Sequence, residues 1–496
     1  MERLKNILNH TWFFPSLVLY YGIFYLFFGE VYYLNDGLSM DGIVFGNLAQ
    51  HFNASYFFDT YYVHRMFPST IVGITFKTIG ITHNTQNLVT AFQVLNIISL
   101  VLTCYYVKKL FVFFKISLIN QLLGFVLLIF NFSFLKFPLY LPVMTDNLAM
   151  ALGAMLLYFY FKKNMTGLIV CTLISCFTWQ LTFYQGLIFI AIPFSTLKFS
   201  EFKPIYQYGI KLLSGLAFGI FCFYLIYIAN MDTSLELVAR IDRDYVNISI
   251  VAVGIIYYFF SFIFLNKNLF NLKIFFKSLK PLNIVMAIIL LASTIAIVYL
   301  LAPAPNKFYP VLHTLSNPFT HAMMWPFHTI VSHTAFWGIA MILLMFFWKD
   351  FCKLISQLGW GLVFAFALNI YSFGVMPETR CLINLLPWLV VLLIKAINKY
   401  SFSNLFYIVI GILSIFASKI WLPLNYRGKY MYMQLDENGS MGFPDQKLWL
   451  NVGPWMQESM YYLQGLIIIG ICILLFFILY KIGRNNNNKI SIIKRY

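Results

Sequence analysis

Runs of uncharged, apolar residues recur along nearly the whole chain, from Trp12 to Tyr480, with only short polar turns between most of them. Each is roughly 18–22 residues, about the length a helix needs to cross the hydrocarbon core of a bilayer. Of 496 residues, 61% are hydrophobic and only 10% are charged. So few charges cannot cover the surface of a water-soluble fold of this length. The strands of a membrane barrel would alternate apolar and polar residues over about ten positions, and these runs do not alternate. The sequence therefore predicts an all-α, polytopic transmembrane helix bundle of about 13–14 spans.

Spans are expected near 12–33, 87–107, 117–134, 147–161, 166–180, 185–197, 208–229, 248–266, 283–302, 331–348, 355–374, 382–396, 402–422 and 461–480. With this spacing, Lys108/Lys109/Lys115, Lys162/Lys163, Lys198/Lys203, Lys267/Lys273/Lys277/Lys280, Lys349/Lys353, Lys395/Lys399 and the run from Lys481 to Arg495 fall on the same face as Arg3 and Lys5. Basic residues accumulate in cytoplasmic loops, so this face is the cytoplasmic one and both termini lie on it. The net charge of +17 is then a matter of orientation, and no nucleic-acid partner is expected. The opening MERLKN precedes an apolar stretch with no small-residue cleavage site, which reads as a retained anchor. Residues 1–480 form one transmembrane domain, followed by a basic cytoplasmic tail over 481–496 that contains the low-complexity RNNNNK. The expected location is a bacterial inner membrane, with an endoplasmic reticulum membrane as the alternative. The seven cysteines sit in or beside apolar runs without metal-type spacing, as buried thiols do.

Outer loops are expected at 34–86, 135–146, 230–247, 303–330 and 423–460. The first should hold two interfacial helices, over 41–52 and 66–80. Phe45, Leu48, Ala49 and Phe52 mark an apolar face on the former, with Ser39 or Asp41 placed to cap its start. Polar chemistry gathers on this outer side, where a catalytic surface would be expected.

Acidic residues near a bilayer are costly and therefore candidates for function. Asp41 opens the 41–52 helix and Asp146 precedes the fourth span, and the topology puts both at one depth on one side. Such a pair suits removal of a proton and orientation of an acceptor; helix capping is the plain alternative for each. Asp36 is expected to serve only loop solvation. Arg65 and Arg380 each stand just before an apolar run, where a guanidinium suits a lipid phosphate or snorkels to headgroups. His64, beside Arg65, and Glu378, two residues before Arg380, join the substrate-binding candidates. Glu378 and Arg380 should flank the site from a loop rather than share a helical face. Lys307, His313, His321, His328, Arg427 and Lys429 are candidates to close over a substrate, and the histidine spacings make no metal motif. Trp179, Gln180, Tyr184 and Gln185 fall at an outer turn and suit sugar hydroxyls or an aromatic belt. Glycine-rich nucleotide loops are absent.

Four features in order resemble the GT-C superfamily of integral-membrane glycosyltransferases. "MDGIVFGNLA" places Asp41 after the first span, "RMFPS" carries Arg65, "TDNLAMALG" places Asp146 before the fourth, and "ETRCLINLLPWLVVLL" starts a late helix with Arg then Pro. Many such enzymes have Asp-Glu or Glu at the first position, where this chain has Asp-Gly. The resemblance implies a sugar donor carried on a polyprenyl phosphate or diphosphate and an unassigned glycan, lipid or protein acceptor. Asp41 would be the general base of an inverting displacement, and Asp146 would position acceptor or sugar. Arg380, with Arg65 or Lys307, would offset charge on the departing phosphate. No resident cofactor is implied, and a divalent cation is left open. The rival readings are a polysaccharide polymerase or ligase and a transporter or flippase of a lipid-linked glycan. Uncharged central spans favour an enzyme over a transporter.

Overall fold

The computed structural model describes residues 2–32, 34–51, 60–195, 243–261, 275–276, 279–301, 322–424, 456 and 458–485. In an apolar surrounding each peptide group must be paired within the chain, and a helix does this residue by residue. Among the described residues every regular element is accordingly a helix. The first six are α1 (Glu2–Asn9), α2 (Phe13–Phe28), α3 (Ser39–Gln50), α4 (Thr60–Val63), α5 (Met66–Ile79) and α6 (Thr85–Phe113). Then come α7 (Leu118–Ile129), α8 (Phe132–Leu135), α9 (Phe137–Tyr140), α10 (Asp146–Lys162), α11 (Met165–Cys176) and α12 (Gln180–Ala191). Next are α13 (Arg243–Ser261), α14 (Pro281–Leu301), α15 (His328–Trp337), α16 (Ile339–Phe346), α17 (Trp348–Gln357) and α18 (Trp360–Val375). A 3-10 turn (Thr379–Leu385) runs into α19 (Leu386–Ile397), followed by α20 (Asn404–Ala417) and α21 (Glu458–Asn485).

Four of the described segments are long and apolar enough to cross a membrane: α6, α14, Thr379–Ile397 and Met460–Leu479 within α21. A fifth is added if α7 and Phe132–Tyr140, bent by 67°, form one span. Six further apolar helices have 10–17 residues. The span expected at 208–229 and the loops 230–247, 303–330 and 423–460 lie wholly or largely outside the described residues. Two expected spans are each divided. Gly338 (φ 63°) separates α15 from α16, and Gly359 (φ 108°) separates α17 from α18. A positive φ cannot continue a right-handed helix, and glycine adopts it at no steric cost.

Thr379–Ile397 is 83% buried within the protein, whereas α14 is 17% and Met460–Leu479 22% buried. The first is therefore central, while the other two leave most of their apolar surface to face hydrocarbon. The α10 helix packs against α6, α11 and the 3-10 turn. Contact with the turn is close because residue 153 is glycine. A Cβ there would lie 2.2 Å from the Asn384 carbonyl oxygen, and Trp388 Nε1 donates to the Gly153 oxygen at 2.6 Å.

The segment expected as an outer loop, 135–146, is buried throughout within the protein. Pro138 and Pro142 supply no N–H, so regular helix gives way to short turns. Freed carbonyls need donors, and α6 provides them. Gln93 Nε2 donates to the Leu139 oxygen at 3.0 Å, and Asn96 Nδ2 to the oxygens of Pro138 at 2.7 Å and Pro142 at 2.9 Å. Lys136 pairs with Glu30 at 3.0 Å, and Glu30 also accepts from the Leu424 N–H at 2.6 Å. These bonds hold the turn from which α10 starts.

Both stretches expected to be helical before the second span, 41–52 and 66–80, carry helix, as α3 and α5. Phe45, Leu48 and Ala49 of α3 are buried in the protein core, so that face covers protein. Phe52 lies outside the described residues.

Gly153→Ala is expected to destabilise the protein. Alanine's better helix propensity, about 1 kcal/mol, is outweighed by overpacking against backbone of about 1–3 kcal/mol. Thermal unfolding in detergent should show a lower midpoint; an unchanged or higher one would contradict the close contact.

Candidate functional site

Arg380 is the centre of the site. Its Nε lies 2.5 Å from Glu378 Oε1, and its Nη1 lies 3.4 Å from Asp41 Oδ2 and 3.8 Å from Asp146 Oδ2. Nη2 reaches the same Asp41 oxygen at 3.5 Å. Three carboxylates from three distant parts of the chain thus converge on one guanidinium. Its five donors in a planar fork suit several acceptors at once, which a lysine cannot match.

Local structure delivers each group. Asp41 and Asp146 are not helix caps: the N-cap residues are Leu38 and Thr145, and neither makes a side-chain cap bond. The helices start earlier than the capping expectation required, so each acid lies inside a first turn. There the helix dipole favours a negative charge. Gly42 brings α3 close: a Cβ on it would lie 3.1 Å from Val143 Cβ and 3.2 Å from the Val143 oxygen. A larger residue would push Asp41 away from the turn that leads into Asp146. Glu378 is the N-cap residue of the 3-10 turn, and that tight geometry folds its carboxylate back onto Arg380.

Exposure separates the acids. The Asp41 side chain is 43% exposed and that of Glu378 24%, while Asp146 is buried at 2% and Arg380 is 18% exposed. Asp146 therefore faces Arg380 from inside the protein, and Asp41 from the open side. Among the described residues, Asp41 Oδ1 accepts no hydrogen bond.

A second cation stands nearby. The Arg65 guanidinium lies between the rings of Tyr61 and Trp179, 4.2 and 4.3 Å from their centroids. Trp179 Nε1 donates to the Cys381 oxygen at 3.1 Å, tying this sandwich to the residue after Arg380. Arg65 is within electrostatic reach of Asp146. His64 Nδ1 lies 2.9 Å from the Cys176 oxygen. A carbonyl only accepts, so Nδ1 carries the proton and Nε2 is left as an acceptor. Burial, with the Arg65 charge adding to it, holds the His64 imidazole below its ordinary pKa, against the opposing effect of that hydrogen bond.

Other expected residues fall elsewhere. Gln180 and Tyr184 are exposed on α12, and among the described residues neither bonds to the cluster. Gln185 is buried, with Nε2 donating to Asn369 Oδ1 at 3.0 Å and Oε1 accepting from Asn384 Nδ2 at 2.8 Å. His328 is buried among Trp325 and Tyr461. Lys307, His313, His321, Arg427 and Lys429 lie outside the described residues. Among the described residues, no group of three or more His, Cys, Asp or Glu side chains is placed to hold a metal ion. Tyr61 and Gly42 were not anticipated as site residues. Helical spacing does not account for Tyr61, since α4 ends at Val63 and Arg65 lies beyond it.

The helices define a helical membrane protein with a buried, charged cluster. No family model, curated protein or solved structure matches the chain.

Removing Arg380 should cost far more stability than removing its exposed partner. Arg380→Met leaves buried Asp146 with only the weaker pull of Arg65 and is expected to cost about 3–5 kcal/mol. Asp41→Asn should cost less than about 1 kcal/mol. Adding Asp146→Asn to Arg380→Met should recover part of the loss, a coupling that denaturant unfolding of the four proteins would measure.

Proposed function

We propose that the chain is a membrane glycosyltransferase of the GT-C kind, moving a sugar from a polyprenyl-phosphate-linked donor to an acceptor. It acts at the outer, periplasmic face of a bacterial inner membrane, with both termini cytoplasmic and about 13–14 spans in all. The observation that carries this reading is the meeting of Asp41, Asp146, Glu378 and Arg380 at one point, with one acid open and one buried.

Asp41 is the general base. Its open carboxylate takes the proton of the acceptor hydroxyl as that oxygen attacks the anomeric carbon. The bond from the anomeric carbon to the phosphate oxygen breaks, and its electron pair leaves with the phosphate. A single displacement inverts the anomeric centre. Arg380 offsets the negative charge growing on the leaving group, assisted by Arg65, whose π-stacked plane still presents its edge donors. Asp146 is a positioning residue that holds Arg380 from behind. His64 Nε2 is available to accept from a sugar hydroxyl.

A transporter of a lipid-linked glycan is the reading favoured by one other observation. The Gln185–Asn369–Asn384 group is a buried polar set inside apolar helices, as transport paths require.

Sugar transfer from radiolabelled polyprenyl-phosphate donors separates the two. Asp41→Asn should cut transfer by about 10²–10⁴-fold while the protein still binds donor. Undiminished transfer would remove Asp41 as the base. Donor movement across vesicles without transfer would put the transporter in its place.

A further inference from the structure

His333 lies on α15, wholly buried, and makes no direct contact with the three carboxylates. Both of its ring nitrogens are bonded. Nε2 is 2.8 Å from the Phe373 carbonyl oxygen, and Nδ1 is 2.9 Å from the Thr379 hydroxyl. The carbonyl accepts, so Nε2 carries the proton; in the neutral ring Nδ1 then accepts from Thr379. The ring faces are also constrained, stacked on Trp337 at 5.3 Å and tilted against Phe373 at 4.6 Å. Position, orientation and tautomer of this imidazole are thus all determined by its surroundings.

Thr379 stands between Glu378 and Arg380. We infer that His333 is a positioning residue: by holding the Thr379 hydroxyl it fixes the 377–381 turn, and with it the place of the Arg380 guanidinium against Asp41 and Asp146. The turn is anchored on its other side by Trp179, through the Cys381 carbonyl. Two long-range bonds therefore bracket Arg380, one on each neighbour. Any buried imidazole needs its N–H paired, and the bond to the Phe373 carbonyl meets that need. Here the second bond joins α15 to the one turn that carries two of the four charged groups. Without it, the Thr379 hydroxyl keeps only a long contact, 3.3 Å, to the Pro377 oxygen.

What this placement does for catalysis rests on the transferase reading, but the turn can be followed without it. Cys381 is a free, partly accessible thiol next to Arg380. Its alkylation rate by a small maleimide, mapped by mass spectrometry on the full-length protein in detergent, reports the turn directly. His333→Leu and Thr379→Val should both speed Cys381 alkylation several-fold, with the rates of the buried cysteines unchanged. In the transfer assay both should lower kcat by about ten- to a hundredfold and leave the donor KM within about twofold, since misplacement by an ångström acts on the transition state. His333→Gln, which keeps an N–H and an acceptor, should recover part of both effects. Thr379→Val removes a single hydroxyl and carries the test if His333→Leu fails to fold. Wild-type alkylation and wild-type kcat in Thr379→Val would overturn the inference. Faster alkylation in a protein whose wild type transfers no sugar would instead uphold the positioning role and overturn the transferase reading.

Discussion

Unpaired peptide groups are the controlling cost in this molecule. Where the solvent is hydrocarbon, each N–H or C=O left without a partner costs several kcal/mol, roughly the whole margin of a marginally stable fold. Among the described residues regular helix meets that demand along most of the chain, and one of its breaks is where the site is built. Between Phe130 and Asp146 two prolines deny the backbone its donors, and Gln93 and Asn96 of α6 supply amide hydrogens in their place. Gln93 and Asn96, buried on α6, are thus requirements of the break beside them. That break ends at the N-terminus of α10 with Asp146 in place.

Electrostatics in the cluster follows from the same scarcity of water. A guanidinium and carboxylates a few ångströms apart interact far more strongly here than they would in solution. Their desolvation is correspondingly expensive, and only mutual pairing offsets it. The gradation from Asp146 (2% exposed) through Arg380 (18%) to Asp41 (43%) orders the groups from support to surface. An arginine backed by a buried acid is held in position, and the acid paired with it in front is open to solvent. Arg65 reaches the neighbourhood by a different device, its charge lying against two aromatic faces rather than carboxylates.

Much of the site was legible in residue types alone. Asp41, Asp146 and Arg380 stood out because charged side chains beside apolar runs are costly, and the alternation of basic clusters put them at one depth. That logic cannot supply contacts. It left helix capping open as the plain alternative at Asp41 and Asp146, because cap position depends on the turn where a helix starts, and that is set by neighbours. It expected Gln180 and Tyr184 beside the substrate, whereas the facing of α12 places Gln185 inward and Tyr184 outward. Gly42 could not be read as a site residue, since its importance is a missing Cβ opposite Val143. His333 carried no signal, because a histidine in an apolar run is indistinguishable from core until its partners are known.

By itself the sequence determined the class of the molecule: with so few charges and so many uncharged runs, helices in a bilayer are the arrangement that leaves no peptide group unpaired. It also determined which residue types were available for chemistry, because a chain this poor in charge has few to spend. Tertiary structure alone decided that Glu378 folds back onto Arg380, that the 135–146 segment is buried, and that Asp41 and Asp146 meet the same nitrogen of one guanidinium. The last of these turns on close approaches across more than a hundred residues of chain, and the burial on bonds 42–46 residues apart. Such contacts depend on shape, on where a glycine admits a neighbouring helix, and on which amide is free to meet a stray carbonyl. None of these is a property of any local stretch of sequence.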